Sequence, residues 1–108
     1  MTRVKVEPGP CGFTTLITAV ADEDEPTEVK VKVACGCKHV QDMMAVVGDT
    51  LDAYEVCLVK PGKGPLFEFA SENFPVHVAC PVIGGITKAI EAEAGLALHH
   101  DCYIKFVD

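Results

Sequence analysis

Cysteine occupies positions 11, 35, 37, 57, 80 and 102 of a 108-residue chain, and two of the local spacings suit chelation. Cys35 and Cys37 form C-G-C, and His77 with Cys80 forms H-V-A-C. Ligands two or three residues apart let one turn of backbone present both to a single ion. Thiolate with imidazole is the soft donor set that suits zinc, copper(I) and iron-sulphur centres. Cys11 adds a third loop, because PGPCG at residues 8–12 favours a tight turn. The expectation is geometric: Cys11, Cys37, Cys80 and His77 converge on one metal centre, either a zinc ion or an iron-sulphur cluster, with Cys35 or His39 as substitutes.

The six cysteines are not equivalent. Cys57 lies inside the apolar stretch EVCLV, and Cys102 alternates with Ile104 and Phe106, so both read as small core side chains. Cys35 continues the face of Val29, Val31 and Val33. Cys80 precedes Pro81 and a helix expected to start around Gly84 or Gly85, whose free N–H groups and dipole would stabilise a thiolate. That gives a second chemistry, thiol redox or sensing through Cys80 with Cys37 or Cys11 as resolving partner. The plain alternative is that Pro81 and the glycines only form the turn that starts the helix. A third reading is a binding module whose cysteines are incidental. His99 and His100 suit an exposed helix C-terminus, and Glu91 and Glu93 read as solvated helix positions. IGGI, residues 83–86, lacks the lysine of a phosphate loop and the third glycine of a dinucleotide fingerprint.

Composition restricts the partners. The net charge is −7, and the nine Lys and Arg residues are spread along the sequence, so no basic stripe for phosphates is visible. No nucleic acid and no membrane partner is expected, since no apolar run approaches the ~20 residues that span a bilayer. The first residues resemble no secretory signal. A cytoplasmic, reducing location follows as an expectation, and with it free or metal-bound thiols in place of a disulfide framework. Residues 1–108 read as a single domain.

The elements that must hold these residues follow from periodicity. Val4 and Val6 alternate with Arg3, Lys5 and Glu7, a half-buried strand ending at Pro8. Phe13 to Val20 reads as its hairpin partner, and VKVKVAC, residues 29–35, as a third strand. DEDEPTE, residues 22–28, is a solvated turn without the glycine of an EF-hand loop. Val40, Met43, Met44 and Val47 form a helical stripe stopped by Gly48. TLDAYEVCLV, residues 50–59, suits a short helix or a strand equally. LFEFASENF forms a helix ending before Pro75; Ile83, Ile86 and Ile90 mark another, with Lys88 and Glu91 opposite. DCYIKFVD alternates as a closing strand. This order does not alternate strand with helix, so the expected class is α+β: a mainly antiparallel sheet with helices packed on one face. An open sheet edge would be a route to a homodimer.

Three motifs, CGF at 11–13, CKHV at 37–40 and CPVIGGITKAIEAEAGLAL at 80–98, resemble an uncharacterised family of proteins of roughly a hundred residues from anaerobic bacteria and archaea. Cys11, Cys37 and Cys80 carry the matching pattern; Ile83 and Gly84 depart from it. The resemblance implies no activity. It implies a reducing cytoplasm that suits thiolate ligands and iron-sulphur clusters.

Overall fold

A computed structural model describes residues 1–108. Four strands, β1 (Thr2–Val6), β2 (Thr15–Ala21), β3 (Glu28–Ala34) and β4 (Thr50–Asp52), form one antiparallel sheet in the order β1-β2-β3-β4. The helices are α1 (Lys38–Val47), α2 (Ala53–Cys57), α3 (Pro65–Asn73) and α4 (Val82–Glu93). The class is α+β, as the order of elements implies.

Alternation assigns each strand residue to a face. Ile17, Ala19, Val29, Val31 and Val6 are buried, and they form one core cluster with Val40 and Met43 of α1, Val56 of α2, Leu66 of α3 and Ile83, Ile86, Ala89 and Ile90 of α4. The helix α4 lies across β1 and β2. Gly85 makes that approach close, because a β-carbon there would collide with Val6 Cγ2 and stand 3.3 Å from Ile17 Cδ1.

On the other face, strand pairing gathers cations that are far apart in sequence. Arg3 is paired with Thr18 and Thr18 with Lys32, while Lys5 is paired with Leu16 and Lys30 with Val20. Four of the nine basic residues, Arg3, Lys5, Lys30 and Lys32, are therefore exposed on one face around Leu16 and Val20. The sequence spacing hides this cluster, because side-chain parity brings together residues that pairing registers only in three dimensions.

Other expectations are revised. TLDAYEVCLV is both structures: Thr50–Asp52 is a strand and Ala53–Cys57 a helix. Asp52 makes the switch by accepting hydrogen bonds from the N–H groups of Tyr54 at 2.8 Å and Glu55 at 3.3 Å. The helix α4 starts at Val82, before either glycine, with Pro81 at the N-cap. Glu93 is no solvated position. It accepts from the Thr2 hydroxyl at 2.7 Å and the Ala21 N–H at 2.9 Å, and pairs with the N-terminal ammonium at 3.3 Å. Burial opposes its charge, but those bonds together hold the carboxyl below its usual range. The expected closing strand does not form: residues 99–108 carry no helix or strand and are all exposed. Cys102 is exposed with them, not a core side chain, because no neighbouring strand receives it. No helix is long and apolar enough to cross a membrane.

Candidate metal or thiol site

Five of the residues singled out for chemistry lie in loops at one end of the sheet. Val6 is paired with Thr15 and Leu16 with Ala34, so the β1–β2 turn and the end of β3 share that end. Gly85, in the first turn of α4, meets Val6 and Ile17 there. The loops carrying Cys11, Cys35–Cys37 and His77–Cys80 are thus neighbours.

The C-G-C segment is built from β3 into α1. Cys35 is half-buried, and its Sγ accepts from the buried Thr15 hydroxyl at 2.9 Å and from the Cys37 N–H at 3.4 Å. Its carbonyl accepts from Gln41 Nε2 at 2.8 Å. Those bonds commit Cys35 to the turn. Cys37 is the N-cap of α1, extended at φ −75° and ψ 121°, with no side-chain bond to the helix N–H groups. Its thiol is therefore free for other partners. Gly36 between them receives the Phe13 ring: a β-carbon at this position would stand 2.8 Å from Phe13 Cδ1. This contact fixes the Cys11 turn beside the C-G-C turn.

Cys37, His39, His77 and Cys80 line one cavity of about 60 Å³, together with Val40, Phe74 and Pro75. The thiols are half-buried and the imidazoles exposed. Phe74 supports this wall: its ring lies 6.0 Å from that of His39, tilted by 50°, and meets Phe69 edge-on at 6.2 Å. Pro75 to Ala79 is exposed throughout, with Val76 and Val78 fully in solvent, so little packing holds this loop in place.

The arrangement gathers Cys37, His77 and Cys80 on one cavity and adds His39. Cys11 is exposed on its turn and is not part of the lining. No three His, Cys, Asp or Glu side chains stand close enough to hold a common ion in this arrangement. The wall formed by Phe74 was missed in the sequence; its signal was an aromatic residue placed between the end of α3 and Pro75.

The remaining thiols have other surroundings. Cys57 is half-buried, its thiol donates to the Thr87 carbonyl at 3.7 Å, and burial, with the charge of Glu91 adding, pushes its pKa up to about 11. It stays protonated at neutral pH and is a poor ligand or nucleophile.

The chain belongs to a family of unknown function, DUF6951, whose pattern matches residues 2–106. No curated protein and no solved structure matches it.

Proposed function

We propose that this member of a family without an assigned activity binds a single zinc ion through Cys37, Cys80, His77 and His39. The observation that carries the reading is the lining of one small cavity by two thiols and two imidazoles, one of each from the start of α1 and one of each from the α3–α4 loop. The donor set is that of a structural zinc site. A cavity of about 60 Å³ has room on the order of a few waters, which suits one ion better than a multi-iron cluster. His39 takes the place that the sequence gives Cys11, because His39 lines the cavity and Cys11 lies outside it.

Binding in this reading is coupled to ordering. Zinc–sulphur bonds of ~2.3 Å and zinc–nitrogen bonds of ~2.0 Å require the exposed segment of residues 75–79 to draw His77 in toward α1 and the half-buried Cys80. The loop makes few contacts to lose. Ion binding would then close the α3–α4 connection onto the start of α1 and raise thermal stability.

The test is the zinc content of reduced protein, with chelated and reconstituted samples compared by thermal melting. One zinc per chain and a higher melting temperature are expected. Both are lost in Cys37→Ser and Cys80→Ser and kept in Cys11→Ser. A zinc-free protein whose melting ignores added zinc contradicts the proposal.

The same two thiols support a second reading, a redox pair, because Cys37 and Cys80 share the cavity as free, half-buried side chains. Oxidation by a small-molecule disulfide would join them, the two thiols giving up two protons and two electrons as the oxidant is reduced to thiols. Intact mass after non-reducing digestion distinguishes this linkage from a metal site.

A further inference from the structure

The sheet buries one face under α4 and leaves the other bare. On the bare face β2 runs down the middle with Leu16, Thr18 and Val20 outward, while pairing sets Arg3 and Lys5 along β1 on one side and Lys30 and Lys32 along β3 on the other. Leu16 and Val20 remain 47% and 44% exposed. The result is a partly apolar floor between two cationic rails, which stand about 10 Å apart, two strand spacings. A depression of about 540 Å³ lies beside the β3 rail, lined in part by Thr18, Val20, Lys30, Lys32, Met44 and Asp49.

The chain's own acids do not neutralise these cations. Lys5 has Glu7 at 3.3 Å in an exposed pair, whereas Arg3, Lys30 and Lys32 are in no ion pair. Lys30 and Lys32 follow each other at about 7 Å on one strand face, as do Arg3 and Lys5. The four therefore repel one another, with no anion between the rails. Glu28 and Asp52, paired beyond Lys30, mark where the patch ends at the β4 corner. Elsewhere in the chain five cations stand against sixteen acids.

We propose that this face docks an acidic amphipathic helix of a partner protein. The helix lies along β2 with its apolar stripe on Leu16 and Val20. Carboxylates on one flank meet Arg3 and Lys5, and those on the other meet Lys30 and Lys32. A sheet face, unlike a sheet edge, offers no backbone groups, so a docked segment must satisfy its own, as a helix does. A helix is about 10 Å wide, which matches the spacing of the rails. Nucleic acid fits less well on two counts. No residue of the four strands is aromatic, so bases find no stacking platform. A phosphate chain longer than the patch also meets the acids around it, and it brings no apolar stripe for Leu16 and Val20.

A synthetic helical peptide of about 16 residues, long enough to follow β2 from end to end, tests this on the full chain. It carries a leucine stripe flanked on both sides by glutamates; its glutamine counterpart and a single strand of thymidylates are the controls. Fluorescence anisotropy gives the affinity and amide NMR shifts give the place. The glutamate peptide should bind, with shifts centred on Leu16, Thr18 and Val20. The glutamine peptide, the pair Lys30→Glu and Lys32→Glu, and the pair Arg3→Glu and Lys5→Glu should each weaken binding by about tenfold or more. The two pairs lie on different strands, so either one decides if the other fails to fold. Leu16→Thr should weaken binding by about fivefold through lost apolar contact. No saturable binding, or binding that charge reversal leaves unchanged, overturns the proposal. So does tighter binding of the thymidylate strand at the same residues. Self-association of the chain that charge reversal abolishes also overturns it, by seating the acidic turn of a second copy, residues 22–28, between the rails.

Discussion

Gly85 of α4 and Val6 of β1 stand so close that no β-carbon fits between them. This absent atom lets the helix lie flat on the sheet and places its first turn beside the cysteine loops. Gly84, one residue earlier, is exposed and has nothing within 4 Å of a β-carbon position. Gly84→Ala should therefore stabilise the protein by about 0.5–1 kcal/mol through helix propensity. Gly85→Ala should destabilise it by about 1–3 kcal/mol through overpacking. Urea denaturation compares them, and equal shifts would refute the packing account.

Glu93 ties the end of α4 to Thr2, Ala21 and the N-terminus, and its carboxyl titrates below the usual range in the folded protein. A depressed folded pKa contributes stability that is fully present above the unfolded value and is lost as pH falls through the folded one. Glu93→Gln should cost about 1–3 kcal/mol at neutral pH, with the gap to wild type narrowing in acid. A gap that widens as pH falls would reverse the assignment.

Cys57 should be the slowest thiol to alkylate. Its pKa of about 11 keeps the thiolate scarce at pH 8, and the side chain is half-buried, whereas Cys11 and Cys102 are exposed. Peptide mass spectrometry of timed alkylation orders them. Labelling of Cys57 alongside the exposed pair would show that its thiol is not held half-buried against the Thr87 carbonyl.

Asp52 ends β4 and caps α2 through the N–H groups of Tyr54 and Glu55. Asp52→Ala should cost about 1 kcal/mol, and Asp52→Asn clearly less, because the amide oxygen can still accept. Chemical denaturation of both variants checks it.

The first three strands were legible because Val4 and Val6, and Val29, Val31 and Val33, alternate with charges. α1 and α4 were legible from their apolar stripes. The 50–59 segment was ambiguous because Asp52 serves two elements at once; its pairing with Glu55 three residues on is a helix-start signal that periodicity alone ignores. Glu93 was misread because its partners Thr2 and Ala21 lie 91 and 72 positions away, beyond any local pattern. The basic face was invisible for the same reason. In the candidate site, spacing pointed to the three loops; the β1–β2 and β2–β3 registers bring the Cys11 and C-G-C loops to one end of the sheet, and the packing of Gly85 on Val6 and Ile17 brings the His77–Cys80 loop there. Two details lay outside the sequence signal: the Thr15 bond that engages Cys35, and the Phe74 wall that gives His39 a place on the cavity. The closing segment shows the limit of alternation, since a strand pattern at Cys102 to Phe106 names no partner.

Cobalt(II) substitution tests whether Cys37, Cys80, His77 and His39 hold one ion. Cobalt bound by two thiolates and two imidazoles in tetrahedral geometry gives thiolate-to-metal charge-transfer absorption together with intense visible bands. With the proposed ligands, this spectrum is expected at one cobalt per chain, unchanged in Cys11→Ser and abolished in Cys37→Ser. A pale spectrum without charge-transfer bands, or one that survives Cys37→Ser, would contradict it.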